Sequence, residues 1–125
     1  MKRVDLSIMT WGIYLICLGM SMIIIPLKVV AMFGFAGTED LWIRFAGILS
    51  AVLGLYYIQI AVKSISALYL WKVAGHVFGL VCMVAFILTD VADMRILGTI
   101  FFELLACLWT VYALRSSPRK AVQAV

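Results

Sequence analysis

Charged residues are scarce in this sequence, and their scarcity indicates the class of protein. Only 13% of the 125 residues are Asp, Glu, Lys or Arg, whereas 66% are hydrophobic. Soluble domains average about a quarter charged residues and about half apolar residues. A soluble fold of this length has too little interior to hide so much apolar surface, but lipid accepts an apolar exterior without penalty. The composition therefore predicts an integral membrane protein.

A clustered basic face is also missing, although the net charge is +4. The Lys and Arg residues are dispersed at the ends of apolar segments, whereas nucleic-acid-binding proteins gather them on one face. We therefore predict no nucleic-acid partner. We interpret the cations as topology signals and as contacts to the headgroups of the lipid bilayer.

Cysteine and histidine are too few and too scattered for a disulfide framework or a metal site. Cys17, Cys82 and Cys107 all lie inside apolar runs, and their odd number argues against a set of paired disulfides. His76 is the single histidine, and no CxxC or HxxxH spacing accompanies it. The sequence therefore predicts neither a metal site nor a cofactor.

Long apolar segments are what the sequence has in abundance. A transmembrane helix needs about 20 apolar residues, and the predicted spans are Leu6–Ile25, Trp42–Val62, Val73–Thr89 and Ile96–Leu114. The first span is longer than the core of a signal peptide and lacks a following cleavage site, so we expect it to be retained. Pro26 ends or kinks this first helix, and we expect residues 26–36 to lie along the membrane interface.

The distribution of Lys and Arg predicts the topology of the bundle. Because the connections are short, we expect an all-α, antiparallel up-down four-helix bundle as a single domain over residues 1–125. Of the 10 Lys and Arg residues, the side with both termini receives Lys2, Arg3, Lys63, Lys72, Arg115, Arg119 and Lys120. Positive charge favours the cytoplasm, so both termini are expected there, in a bacterial cytoplasmic (inner) membrane.

Small residues predict where the helices approach one another. Gly75 and Gly79 form a GxxxG pattern in the third span, while Gly47, Ser50 and Gly54 share one face of the second. In lipid, small side chains let helix backbones come close, and packing replaces the hydrophobic effect as the attractive force. These five residues are the predicted helix-packing positions, within one chain or between copies.

Glu103 is the most informative single residue. It follows Arg95 by eight positions, so it lies about 12 Å into the membrane at about 1.5 Å per residue. A carboxylate at that depth is costly, and it should be protonated, paired or turned to the bundle interior. It is therefore either a polar group that binds a ligand or proton, or a structural acid that fixes helix pairing.

Four other residues are candidate ligand contacts. Arg44 lies at the outer end of the second span and can reach Asp90, Asp93 or a lipid phosphate. Tyr56 and Tyr57 can hydrogen-bond a headgroup or a quinone, and His76 lies just inside the third span. Each also has an ordinary structural explanation, as an interfacial or buried side chain.

Three stretches of this sequence resemble a known family. Residues Pro26–Gly34, Trp42–Gly47 and Leu53–Tyr57 resemble the DoxX-like group of small four-helix membrane proteins, and in particular its BphX-like branch. The resemblance covers residues 20–80 or thereabouts, and it implies four helices with both ends inside. Relatives often have an arginine early in the third span, where this chain has Lys72 and His76. Some members are associated with quinone-linked redox systems.

Three functions remain open on the sequence. The first is an accessory or structural subunit that packs against a larger membrane complex or forms a homo-oligomer, as the small size and the small-residue faces favour. The second is a binding or transport module for a small apolar molecule, such as a quinone, lipid or aromatic compound, with Glu103 as its polar handle. The third, an enzyme, ranks last because the sequence offers no catalytic motif and predicts no catalytic residue.

Overall fold

In a computed structural model of the chain, residues 2–34, 39–92 and 94–116 are described. These residues form five α-helices, with 3-10 turns at Ser66–Leu68 and Met94–Ile96. The α-helices are α1 Arg3–Ile24, α2 Pro26–Met32, α3 Asp40–Val62, α4 Tyr69–Leu88 and α5 Leu97–Arg115. The prediction of an all-α protein is confirmed for this part of the chain.

Four of the helical segments are long and apolar enough to cross a membrane. They are Arg3–Ile24, Asp40–Val62, Ser66–Leu88 and Met94–Arg115. The predicted number of long apolar helices is therefore confirmed in the described residues, although the third helical segment begins well before the expected Val73. Large apolar side chains such as Phe78 and Leu88 are mostly exposed, as suits helices whose outer faces meet lipid.

A proline separates α1 from α2. Pro26 has no backbone N–H, so the helix hydrogen bonding of α1 is interrupted there, and Ile25 adopts a non-helical conformation with φ −130° and ψ 55°. Arg44 of α3 donates a hydrogen bond to the carbonyl oxygen of Ile23 in the last turn of α1. The short helix α2 then follows from Pro26 to Met32, inside the predicted interfacial segment; residues 35 and 36 of that segment lie outside the described residues.

Helices α1 and α3 are in direct backbone contact through two glycine pairs. A Cβ atom built on Gly19 would lie 2.5 Å from the carbonyl oxygen of Gly47, and one on Gly12 would lie 2.9 Å from that of Gly54. Because Gly12 meets Gly54 and Gly19 meets Gly47, the two helices run in opposite directions. Ser50 adds a hydrogen bond of 3.1 Å to the carbonyl oxygen of Leu15. Packing this close needs the absence of side chains.

The buried apolar cluster lies at one end of the bundle. It consists of Val4, Ile8, Ile60, Ala61, Tyr69 and Ala113. These residues come from the beginning of α1 and α4 and from the end of α3 and α5, so we call this end of the bundle the terminal end. The opposite end, where α2 lies, we call the distal end. Tight packing at the terminal end holds the four long helices together, and a cavity lies towards the distal end.

Candidate functional site

Three ionisable side chains form a row between α4 and α5. The Nδ1 atom of His76 is hydrogen-bonded to Oε1 of Glu103, and its Nε2 atom is 2.9 Å from Nζ of Lys72. His76 follows Lys72 by four residues, so both side chains project from the same face of α4. The imidazole therefore stands between an acid and an amine in the interior of the bundle.

The row continues towards the terminal end through two hydroxyl groups. Lys72 donates from Nζ to Oγ1 of Thr110 at 2.7 Å, and Oγ of Ser7 is 3.4 Å from the same oxygen. Thr110 lies on the same side of α5 as Glu103, seven residues later. The polar row therefore connects α1, α4 and α5, the helices that surround it.

Aromatic rings cover the cation of the row. The Nζ atom of Lys72 lies 5.9 Å from the ring centroids of both Trp11 and Tyr57, a distance at which a cation is attracted to the face of a ring. Trp11 also packs edge-on against His76, with ring centroids 5.0 Å apart. Lys72 is only 2% exposed, so these contacts and its hydrogen bonds replace the water that the ammonium group would otherwise need.

Glu103 forms part of the wall of a large apolar cavity. The cavity has a volume of about 520 Å³ and is partly open. Its walls come from α1, α2, α4, α5 and the connection between α4 and α5: Trp11, Tyr14, Leu15, Leu18, Met22, Val29, Val30, Phe33, Met83, Phe86, Val91, Ala92, Ile96, Thr99 and Glu103. Among the described residues that line this cavity, Glu103 contributes the only carboxyl group, and the polar row reaches the cavity there.

The structure brings together three of the five predicted ligand residues. Glu103 and His76 are in direct contact, and Tyr57 lies beside them, next to Lys72. Tyr56, which is 64% exposed, points to the outside of the bundle. Arg44 lies at the distal end, where it forms an ion pair of 3.1 Å with Asp40 and the hydrogen bond to α1.

The ion-pair partner of Arg44 in the structure differs from the partners predicted from the sequence. The guanidinium group contacts Asp40 within its own helix, four residues earlier, rather than Asp90 in the connection between α4 and α5. Asp93, the other expected partner, lies outside the described residues. Arg44 is therefore bound to groups of α3 and α1 and does not line the cavity.

The predicted helix-packing residues fall into two groups. Gly47, Ser50 and Gly54 lie against α1 in the described structure. In contrast, Cβ atoms built on Gly75 and Gly79 would have no neighbour nearer than 3.9 Å, namely the Tyr57 hydroxyl group and the Glu103 carboxylate. The GxxxG pattern of α4 therefore makes no backbone contact with another described helix, and packing against a second protein stays a prediction.

Lys72 is the site residue that sequence reasoning misplaced. We expected it at the membrane surface, as one of the cations of the cytoplasmic side, but its side chain is buried and contacts His76 and Thr110. The spacing to His76 was the available signal, because residues four apart on a helix share a face. A lysine near the end of an apolar run has the same pattern whether it snorkels outwards or turns inwards.

The buried acid Asp5 was also missed by the sequence reasoning. Asp5 is fully buried at the terminal end, where it accepts hydrogen bonds from the hydroxyl groups of Ser64 and Tyr69 and from the backbone N–H of Lys2. It thereby ties the start of α1 to the turn between α3 and α4. Its partners are all protein groups, which makes it a structural contact and not part of the cavity.

The described residues contain no group of three or more His, Cys, Asp or Glu side chains that could hold a metal ion. Chemically, the row of Lys72, His76 and Glu103 can accept hydrogen bonds at the cavity wall and hold charge in the interior. Comparison of the chain with protein-family models, curated proteins and solved structures gives no match.

Proposed function

We propose that this protein binds or transports a small, largely apolar molecule in the cavity that Glu103 lines. The observation that carries the proposal is the cavity itself: its volume of about 520 Å³ falls within the range of about 300–1,000 Å³ typical of small-molecule sites. An apolar wall with very few polar groups is the usual lining of such sites.

The position of the acid supports a binding role for Glu103. Its side chain is 17% exposed, whereas its partners Lys72 and His76 are almost completely buried. An acid that only fixed the pairing of α4 and α5 would not need to reach a cavity. In an apolar cavity, a small number of polar groups fixes the orientation of a ligand.

The cavity belongs to a protein that we propose crosses the membrane four times. Its helices would run up and down, with both termini in the cytoplasm of a bacterial cell and the spans in the inner membrane. The antiparallel contacts of α1 with α3 support this arrangement, as does the excess of Lys and Arg at the ends that would face the cytoplasm.

Blocking the cavity tests the proposal. Met83 lines the cavity, whereas its neighbour Val84 is 46% exposed on the outside of α4. We expect Met83→Trp to fill the space and remove a bound molecule that co-purifies with the wild type, while Val84→Trp retains it. The measurement is native mass spectrometry of protein extracted gently from its own membrane. A small-molecule adduct that survives Met83→Trp would contradict the proposal.

Neutralising the acid is a second, independent test. Glu103→Gln keeps the shape of the side chain and removes its charge, so we expect the occupancy of the adduct to fall about tenfold or more, as the loss of a hydrogen bond to a charged group predicts. Glu39→Gln is the matched control, because Glu39 is an exposed acid at the start of α3 and does not line the cavity.

An accessory or structural subunit is the second candidate function. It is favoured by α4, which has the smallest buried share of the four spans, and by Gly75 and Gly79, which make no backbone contact with another described helix. Such a surface suits either lipid or a helix of a second protein. The same native mass spectra distinguish the candidates, because a subunit would appear in a larger protein assembly of fixed stoichiometry.

A further inference from the structure

The hydrogen-bonding capacity of Lys72 fixes the protonation of the whole row. When Lys72 is charged, its ammonium group has three donors and no acceptor, so Nε2 of His76, 2.9 Å away, accepts a hydrogen bond from it. A neutral imidazole with an accepting Nε2 carries its proton on Nδ1. That proton is donated to Oε1 of Glu103, and Glu103 is therefore the acceptor at the end of the row.

Charge balance is compatible with the same assignment. Lys72 is buried among apolar and aromatic side chains, where an isolated charge is strongly unfavourable. A negative Glu103 compensates the positive Lys72 through the imidazole, and the row as a whole is neutral. A proton added to Glu103 would leave the buried ammonium group uncompensated, which is costly in a medium of low dielectric constant.

The second oxygen of Glu103 is the one that a ligand meets. Oε1 is occupied by His76, and Glu103 lines the cavity. Because the carboxylate has no proton to donate, Oε2 presents only acceptor lone pairs. The hydroxyl-bearing residues Tyr14 and Thr99 also line the cavity, and a hydroxyl group both donates and accepts.

We propose that the cavity selects amphiphiles whose polar head is a hydroxyl group, as in a phenol or an alcohol, over heads that only accept hydrogen bonds, such as ethers, esters and ketones. A ligand hydroxyl group donates to Oε2 of Glu103 and accepts from a cavity hydroxyl group, whereas an acceptor-only head supplies no donor to Oε2. The inference rests on the proposed binding function and specifies its ligand class.

A matched pair of probes tests this selectivity. 4-Pentylphenol and 4-pentylanisole have similar size and shape, but only the phenol has a hydroxyl hydrogen. Binding of each to the full-length protein in lipid nanodiscs would be followed by quenching of tryptophan fluorescence, since Trp11 lines the cavity. Affinities would be expressed per mole fraction in the lipid, which corrects for unequal partitioning. We expect the phenol to bind at least about tenfold more tightly, the value for one hydrogen bond to a charged acceptor.

Variants of the row locate the origin of the preference. In Glu103→Gln, the carbonyl oxygen of the amide still accepts from Nδ1 of His76, so the amide nitrogen turns to the cavity as a donor. We expect the phenol and the anisole to bind this variant with about equal affinity, because either probe then accepts one hydrogen bond from the amide nitrogen. Glu39→Gln, an exposed site outside the cavity, should keep the wild-type ratio.

Lys72→Met removes the donor that fixes the row. Without it, the proton of His76 is no longer held on Nδ1 and the charge of Glu103 is no longer compensated, so we expect the same loss of preference. Since this variant removes a buried polar group and can fail to fold, Glu103→Gln remains the decisive measurement.

The outcomes separate the two proposals. If neither probe binds the wild-type protein, the proposed binding function fails and the ligand class fails with it. If both probes bind equally, the cavity is a binding site but the inferred hydroxyl selectivity is wrong. A preference for the phenol that persists in Glu103→Gln would also overturn the inference, because the head group would then be recognised elsewhere.

Discussion

At the scale of single residues, the acids Asp5 of α1 and Glu103 of α5 have different roles. Asp5 accepts three hydrogen bonds, all from protein groups, and is fully buried. Glu103 shares one oxygen with His76 and turns to the cavity. An acid whose acceptor capacity is used by the protein contributes to stability, whereas one with remaining capacity at a cavity is available to a ligand.

The role of Asp5 predicts a loss of stability on substitution. Asp5→Ala leaves the buried hydroxyl group of Tyr69 without this acceptor, at about 1–3 kcal/mol, and the partly buried hydroxyl group of Ser64 likewise, at a smaller penalty. We expect the free energy of unfolding to fall by about 2–5 kcal/mol in total. This change in the free energy of unfolding is measured by SDS-induced unfolding in mixed micelles.

Asp40→Asn is the control for this measurement. Asp40 pairs with Arg44 at the surface, where both side chains are 42% exposed or more. Loss of this ion pair should therefore lower the free energy of unfolding by less than about 1 kcal/mol. Equal losses from the two substitutions would show that the buried contacts of Asp5 are not stabilising.

At the scale of secondary structure elements, the pairing of α1 with α3 depends on glycine. A Cβ on Gly19 would lie within 2.7 Å of two backbone atoms of α3, the oxygen of Gly47 and the nitrogen of Ala51. Backbone atoms cannot rotate away as a side chain can, so the helices would have to separate. The contact therefore depends on Gly19 itself and not on small size in general.

Alanine substitutions at two glycines should have opposite effects. We expect Gly19→Ala to lower the free energy of unfolding by about 1–3 kcal/mol, the usual penalty for overpacking. Gly75→Ala has room, since its nearest neighbour is 3.9 Å away, and it should raise stability by about 0.5–1 kcal/mol because alanine favours a helix. Both are measured by SDS unfolding. A comparable loss from Gly75→Ala would indicate that a partner helix packs there.

At the scale of the whole molecule, the position of Lys72 alters the count of topology signals but not the expected topology. Removing this buried residue from the seven cations of the terminal side leaves six, against three on the other side, among the 10 Lys and Arg residues. The excess still favours a cytoplasmic location for both termini, because the rule depends on Lys and Arg near the helix ends.

Reporter fusions test this topology. We expect green fluorescent protein fused after Ser116 to fluoresce and alkaline phosphatase fused there to be inactive, because only the former folds in the cytoplasm. Phosphatase fused after Glu39, between α2 and α3, should be active. An active phosphatase at Ser116 would reverse the predicted orientation of the bundle.

The membrane-compatible class of the protein and the number of its long helices follow from the amino-acid sequence alone. It also singled out Glu103, because an acid in the middle of an apolar run is conspicuous whatever surrounds it. Gly47, Ser50 and Gly54 were recognisable as a small-residue face. These features depend on composition and on spacing along one helix, both of which can be read from the chain.

Which residues are in contact across the helices becomes visible in the three-dimensional arrangement. The glycines on α1 that complete the contact with α3, the inward turn of Lys72 and the cavity beside Glu103 all depend on the rotation and register of one helix against another. In a soluble protein, the apolar face of a helix would indicate that rotation. Here both the lipid-facing and the interior-facing residues are apolar, so the hydrophobic pattern does not distinguish them. Backbone contact and polar hydrogen bonds between helices settle the arrangement instead.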